Sequence, residues 1–263
     1  MYWRTELSLT YLGHSAVQFN VHDLTIYVDP YFKDPVDWTT LPKADLVILT
    51  HGHFDHGVLF STQLYEAWKC KFLAPRTLTQ WMQRKYKRKI PADSIISIAH
   101  GETVEFKGLS ITAIPAHHPV NHMGKTILRL FARSSAPGKP VNGYYFDGYY
   151  HAGDTIYTAD IPEALANKPI HTACLPIGGK YGVASPAEAL KIAEQIGATR
   201  IVPLHWQALV EQVPFRYQSS DLVKLARDSA TKVAICPLAI GELLERSESN
   251  NGTALGLDTS TIR

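Results

Sequence analysis

Leu46-Val47-Ile48-Leu49-Thr50-His51-Gly52-His53-Phe54-Asp55-His56 is the stretch on which the reading of this chain turns. Its first four residues are an apolar run of strand type, and three histidines and an aspartate follow between positions 51 and 56. A strand that ends there delivers four metal-competent side chains into the loop at its carboxyl edge. His51 and His53 lie two apart, so extended backbone points both to one side, where they can hold one ion. Asp55 and His56 come where the chain turns and can face a second ion. Imidazole with carboxylate suits zinc, manganese or iron. The three cysteines, Cys70, Cys174 and Cys236, are far apart and form no CxxC pair, which argues against a thiolate zinc site or a disulfide framework and fits a reducing cytoplasm.

The rest of the composition sets bounds. A chain of 263 residues with 45% hydrophobic and 19% charged residues is ordinary for a globular protein, and no stretch approaches the roughly 20 apolar residues of a membrane span. The first six residues carry no basic and apolar leader pattern, so export is not expected. A formal charge of +2 does not call for a nucleic-acid partner. The basic run Arg84-Lys85-Tyr86-Lys87-Arg88-Lys89 reads as a solvated face of a helix over Thr77 to Arg88. Oligomeric state is left open, a homo-oligomer included.

β-Branched and aromatic runs predict strands at Leu7 to Leu12, Ala16 to Val21, Leu24 to Val28, Asp45 to Leu49, Phe72 to Ala74, Ile95 to Ile98 and Ser110 to Ile114. A second half repeats the order of elements without a sequence repeat. Strands are expected at Thr126 to Ala132, Asn142 to Phe146, Tyr149 to Ala152, Thr172 to Leu175, Ile201 to Leu204 and Val233 to Ile235, with helices at Pro162 to Ala166, Pro186 to Ile196 and Asp221 to Ser229. The last helices include a Ser185 N-cap followed by Pro186 and Glu188. Two such halves predict an α/β fold, a four-layer αββα sandwich of two mixed β-sheets flanked by helices. The domain is expected over residues 1–245, with a polar, disordered tail over 246–263.

A dinuclear site needs ligands from more than one loop, and later strand ends supply them. Pro115-Ala116-His117-His118-Pro119, His151-Ala152-Gly153-Asp154-Thr155 and Pro203-Leu204-His205-Trp206 each place a His or Asp just past a strand. With Leu12-Gly13-His14-Ser15, Val28-Asp29-Pro30 and Pro176-Ile177-Gly178-Gly179, these motifs make the chain resemble the metallo-β-lactamase superfamily, in the branch of ascorbate-6-phosphate lactonase-like hydrolases. The resemblance spans Leu7 to Gly241.

Carried over by motif, the resemblance implies that His51, His53 and either His117 or His118 bind a first ion, the family's Pro-Ala-x-His pattern favouring His118. Asp55, His56 and His205 would bind the second, with Asp154 bridging both. Zinc is the first expectation, manganese or iron the alternatives. The implied chemistry is hydrolysis of a small ester, lactone or phosphoester by a metal-bridging hydroxide, with Asp55 as the catalytic residue that orients it. Rival readings are a mononuclear iron oxygenase of the same fold, of persulfide dioxygenase type, and a metal-binding protein without catalysis. Asp29 is expected to orient a ligating histidine. His14, His117, Gly179, Lys180 and Trp206 are expected beside the ligands or against the substrate, Lys180 as an anion contact.

Overall fold

The computed structural model describes residues 7–32, 36–119, 136–207 and 214–246. Two seven-stranded sheets face one another. The first holds β1 (Ser8–Gly13), β2 (Ala16–Val21), β3 (Leu24–Val28), β4 (Leu46–Ile48), β5 (Lys71–Pro75), β6 (Ile95–Ile98) and, at its edge, β14 (Leu243–Glu245), in the order β14-β1-β2-β3-β4-β5-β6. The second holds β7 (Thr103–Phe106), β8 (Leu109–Ala116), β9 (Val141–Phe146), β10 (Tyr149–His151), β11 (Thr172–Pro176), β12 (Arg200–Leu204) and β13 (Ala234–Ile235), in the order β13-β12-β11-β10-β9-β8-β7. Both sheets begin with antiparallel hairpins and continue as parallel strands, from β3 to β6 and from β10 to β13. Both are therefore mixed, as expected.

The parallel steps need crossovers, and α-helices make all but the β3–β4 one, whose described residues hold a short 3-10 turn at Trp38–Thr40. α1 (Ser61–Trp68) and α2 (Arg76–Lys85) cover the outer face of the first sheet; α3 (Asp160–Ala164), α4 (Pro186–Gln195) and α5 (Ser219–Asp228) serve the second. Three apolar layers result. Leu9, Phe19, Ile26, Phe146, Tyr149 and Val202 fill the space between the sheets. Leu64, Trp68, Leu78 and Met82 pack against the outside of the first sheet, and Ile161, Leu190, Ile192 and Leu222 against the outside of the second. Alternate residues of each strand feed opposite layers, the period-2 pattern of a sheet buried on both faces. α4 starts on the expected capping box, with Ser185 and Glu188 each bonding the other's backbone and Pro186 in the first turn.

Several elements differ from the sequence reading. The helix expected over Thr77 to Arg88 ends at Lys85, because a tight turn, in which Lys89 N and Ile90 N both donate to Tyr86 O, swings Tyr86 and Ile90 into the core. The basic residues 84, 85 and 87–89 stand exposed around that turn. α1, β7 and β14 had no signal strong enough to be read. α1 is only 8 residues long, and β14 gains its strand character by pairing with β1. The strand expected over Thr126 to Ala132 and the tail from residue 247 lie outside the described residues.

One rim of the sandwich is tied across the sheets. His205 N donates to His14 O (2.9 Å), Asn142 N to Thr50 O (3.0 Å), Tyr144 Oη to Leu49 O (3.1 Å) and the His151 ring to Ser15 O (3.0 Å). These bonds join the carboxyl ends of β1, β4, β10 and β12 and the amino end of β9, and every candidate ligand follows a strand that ends at this rim.

Candidate metal centre

The loop after β4 does what the local sequence demanded. Thr50 and His51 are buried, His53 is half-buried, and residues 54–56 form one short 3-10 turn. That turn reverses at Gly57, whose φ is +83°; a Cβ there would stand 2.5 Å from Pro30 O, so glycine is required both by conformation and by the close approach of the chain.

At the rim the donors fall into two groups. His51, His53, His118 and Asp154 form one; His14, Asp55, His56 and His205 form the other, and within each group the ligating atoms lie within 4.8 Å of one another. Asp154 stands between them. Its Oδ2 is 3.6 Å from His118 Nε2 and 3.9 Å from His51 Nε2, while its Oδ1 is 3.2 Å from His205 Nε2 and 3.4 Å from His56 Nε2. One carboxylate thus turns one oxygen to each group. Gly153, at φ +62°, bends the chain after β10 and lets its backbone pass close to Thr50.

The second group carries several buried polar atoms without a hydrogen-bond partner: His14 Nδ1, Asp55 Oδ1, His56 Nε2, Asp154 Oδ1 and both ring nitrogens of His205. Unpaired buried polar atoms are costly, and those of His56, Asp154 and His205 lie together at one point, as the donors to a cation would. The donor set is imidazole and carboxylate, without thiolate, as hard to borderline divalent ions prefer.

The rings are held in definite tautomers. Asp29, fully buried at φ +48°, accepts from Thr50 N (2.8 Å), Thr50 Oγ1 (2.6 Å) and His56 Nδ1 (2.6 Å). Since Thr50 Oγ1 donates to Asp29, it accepts from His51 Nδ1 at 3.0 Å. His118 Nδ1 donates to Gly182 O at 3.1 Å. Each of these bonds turns the other nitrogen, Nε2, into the site. Burial acts in the same direction by pushing the imidazoles of His14 and His53 down to about 4 and that of His51 well below its ordinary value, so they stay neutral at neutral pH. Burial opposes charge on His56 too, but Asp154 and Asp29 override it and raise this ring well above the usual histidine range. Burial likewise opposes charge on Asp55 and Asp154, and the surrounding histidines override it; both carboxyls are held below the usual range.

Of the remaining expected residues, Asp29 and His14 reach the site; Gly179 faces the ring of Tyr217, and it is its neighbour Gly178 that lies against His205 O. His117 does not: its exposed ring bonds Asp160 at 2.7 Å while its backbone alone binds the segment after Asp154, N to Thr155 Oγ1 and O from Ile156 N. Consecutive residues on extended backbone point opposite ways, so His118 takes the interior place. Lys180 is exposed and its Nζ donates to Pro214 O at 3.3 Å. Trp206 packs on the helix side of the second sheet, its indole N–H donating to Pro203 O at 3.2 Å. Two contributors carried no assignment beforehand. Thr50 links Asp29 to His51, and His151, fully buried, bonds Ser15 O with Nε2 and accepts from Gly153 N with Nδ1 (3.2 Å), holding the Asp154 loop against the His14 turn.

A family model described as the beta-lactamase superfamily domain matches residues 8–205. The chain belongs to the metallo-β-lactamase superfamily. Among its relatives in that superfamily, a UPF0173 metal-dependent hydrolase of Methanopyrus kandleri is 28% identical over 252 residues, covering 91% of this chain and 100% of its own. Igni18, a metallo hydrolase from the archaeon Ignicoccus hospitalis, superposes with a TM-score of 0.73 at 23% identity, over 93% of this chain and 100% of that one. CmlA, a diiron β-hydroxylase from Streptomyces venezuelae, shares the fold with a TM-score of 0.65 at 14% identity, over 92% of this chain and 54% of that one. The resemblance to the superfamily is therefore upheld, while none of these comparisons singles out the lactonase-like branch.

Proposed function

We propose that this protein is a metal-dependent hydrolase that holds two divalent transition-metal ions and acts on a small ester, lactone or phosphoester. The observation that carries the reading is the carboxylate of Asp154, shared between two groups of buried donors. His51, His53, His118 and Asp154 Oδ2 would hold one ion; Asp55, His56, His205 and Asp154 Oδ1 the other. Zinc suits the donors, with manganese or iron as alternatives. Ions bound there polarise a substrate oxygen and lower the pKa of coordinated water from about 15.7 to about 7.

The chain's own residues do the rest. Asp29, Thr50 and Gly182 O fix which nitrogen of His56, His51 and His118 faces inward. Asp55 keeps its charge, and its Oδ1 is the carboxylate oxygen left free to accept a hydrogen bond from an attacking water and orient it. Tyr31 and Phe54 meet edge to face at 6.1 Å, and Tyr31 also meets the His14 ring at 6.3 Å, so an aromatic surface borders this side of the site. With Lys180 turned to Pro214, the structure offers no support for that lysine as a phosphate contact, and ester or lactone chemistry gains accordingly. Two donor groups also favour a dinuclear centre over a mononuclear oxygenase.

A cytoplasmic location is part of the proposal; the three cysteines are free, and no described helix is long and apolar enough to cross a membrane. The test is elemental mass spectrometry of protein prepared with excess zinc and manganese, followed by a screen of lactones, esters, thioesters and phosphodiesters. About two ions per chain and a hydrolysable substrate whose turnover disappears in Asp55→Asn are expected. Less than one ion per chain refutes the reading.

A further inference from the structure

His14 sits in the β1–β2 turn, beside Asp55 and His205, and the sequence placed it only near the pocket. We propose that His14 is itself a ligand of the ion held by Asp55, His56 and His205, so that this ion has five protein donors where its neighbour has four. The inference rests on the dinuclear reading above.

Distance separates a ligand from a residue that merely hydrogen-bonds one. A charge-assisted bond from an imidazole to a carboxylate is short, about 2.7 to 2.9 Å. Among the described residues two such contacts are short, His56 to Asp29 at 2.6 Å and His117 to Asp160 at 2.7 Å. His14 Nε2 stands 3.3 Å from Asp55 Oδ2. Two donors sharing one ion at bond lengths of about 2.1 Å are about 3.0 to 3.4 Å apart. The spacing of His14 and Asp55 is that of co-ligands, and it matches the 3.4 and 3.2 Å from Asp154 Oδ1 to His56 and His205.

Orientation agrees. The His14 ring lies 3.9 Å, centroid to centroid, from the ring of His205 and 6.0 Å from that of His56. It is buried, and its other nitrogen, Nδ1, has no partner.

The backbone is also committed to the placement. His14 has φ +52° and His205 has φ +55°, a region that costs a non-glycine residue on the order of 1 kcal/mol or more. His205 N donates to His14 O, so the two strained residues are locked back to back with their rings turned to the same point. A donor set of five favours an ion that accepts six ligands, such as manganese, iron or cobalt, over tetrahedral zinc in this position.

The test loads metal-free protein with Co²⁺ alone and follows both affinity and hyperfine-shifted ring N–H signals by NMR. A ligating His14 retains its buried Nδ1–H and contributes one such signal. His14→Ala is expected to bind the first Co²⁺ unchanged, to bind the second at least about tenfold more weakly, and to lack one shifted N–H signal. His14→Asn, which tolerates the positive φ, gives the same result if the alanine variant folds poorly. If both variants keep every shifted N–H signal, His14 only positions Asp55 and the assignment is refuted. If the wild-type chain takes up a single Co²⁺, the dinuclear reading falls and this assignment with it.

Discussion

Asp29→Asn changes one oxygen to nitrogen in a side chain that touches neither proposed ion, and it should weaken both. Asn is close in size to Asp and is among the residues that accept the φ of +48° found here. Thr50 N needs an acceptor at Oδ1, so the new amide nitrogen must replace Oδ2, which now receives Thr50 Oγ1 and His56 Nδ1 at 2.6 Å each. The amide donates where the carboxylate accepted. His56 must then carry its proton on Nε2, the nitrogen turned toward Asp154. Thr50 Oγ1 must turn its own proton toward His51 Nδ1, 3.0 Å away, which moves the His51 proton to Nε2 as well. Both rings present N–H to the site where a lone pair is required. Reversing such supporting bonds costs about 10- to 100-fold in metal affinity, or about 1.4 to 2.7 kcal/mol for each ion. Titration of metal-free protein with Zn²⁺ against a chromophoric chelator, with circular dichroism to confirm the fold, measures this. Unchanged affinity at either position in a folded variant refutes the tautomer argument.

Thr50→Val removes the hydroxyl that links Asp29 to His51 but leaves Asp29 bonded to the backbone N of residue 50 and to His56 Nδ1, so the ion of His51, His53 and His118 should be weakened more than that of His56; equal loss at both, by the same titration, contradicts this. Gly57→Ala forces a Cβ into left-handed backbone and to within 2.5 Å of Pro30 O, and should cost about 2 kcal/mol or more, a fall in Tm of about 4 to 8 °C. An unchanged Tm means that the turn relaxes freely. Acid should destabilise the metal-free protein well above the carboxylate range. Burial sets His14 and His53 at about 4, below the ordinary 6.5, so between those values the unfolded chain binds more protons and stability falls as pH falls. His56, raised above 6.5, stabilises below that pH and loses its contribution only as pH rises through its folded value. Calorimetry of chelator-treated protein should show Tm dropping by at least about 5 °C from pH 6.5 to 4.5; a flat or rising Tm contradicts the neutral-histidine assignment.

Strand periodicity and the HxHxDH loop were legible because they are local. Val47 and Phe72 face one layer and Leu46 and Leu73 the other whichever sheet they enter, and His51 and His53 share a side by backbone geometry alone. The elements missed depended on partners: β14 is a strand through its pairing with β1, and the expected helix stops at Lys85 because Tyr86 and Ile90 find room in the core. His118 over His117 was already favoured by pattern, but the reason is tertiary, since only one of two adjacent side chains can face a rim whose far wall is the other sheet.

By itself, then, the sequence determined the inventory: two sheets' worth of strands, and a His or Asp waiting at the end of β4, β8, β10 and β12. Tertiary structure decided the grouping. Asp154 serves two clusters, His14 enters one of them, and Lys180 leaves the site, because each outcome depends on how the two sheets close over a common rim. That closure is fixed by the Phe19, Phe146 and Tyr149 layer between the sheets and by bonds such as His205 to His14, which join residues far apart in the chain. Spacing along a strand constrains neighbours a few residues away; the distance between carboxyl ends of strands in different sheets is set only when the core between them packs.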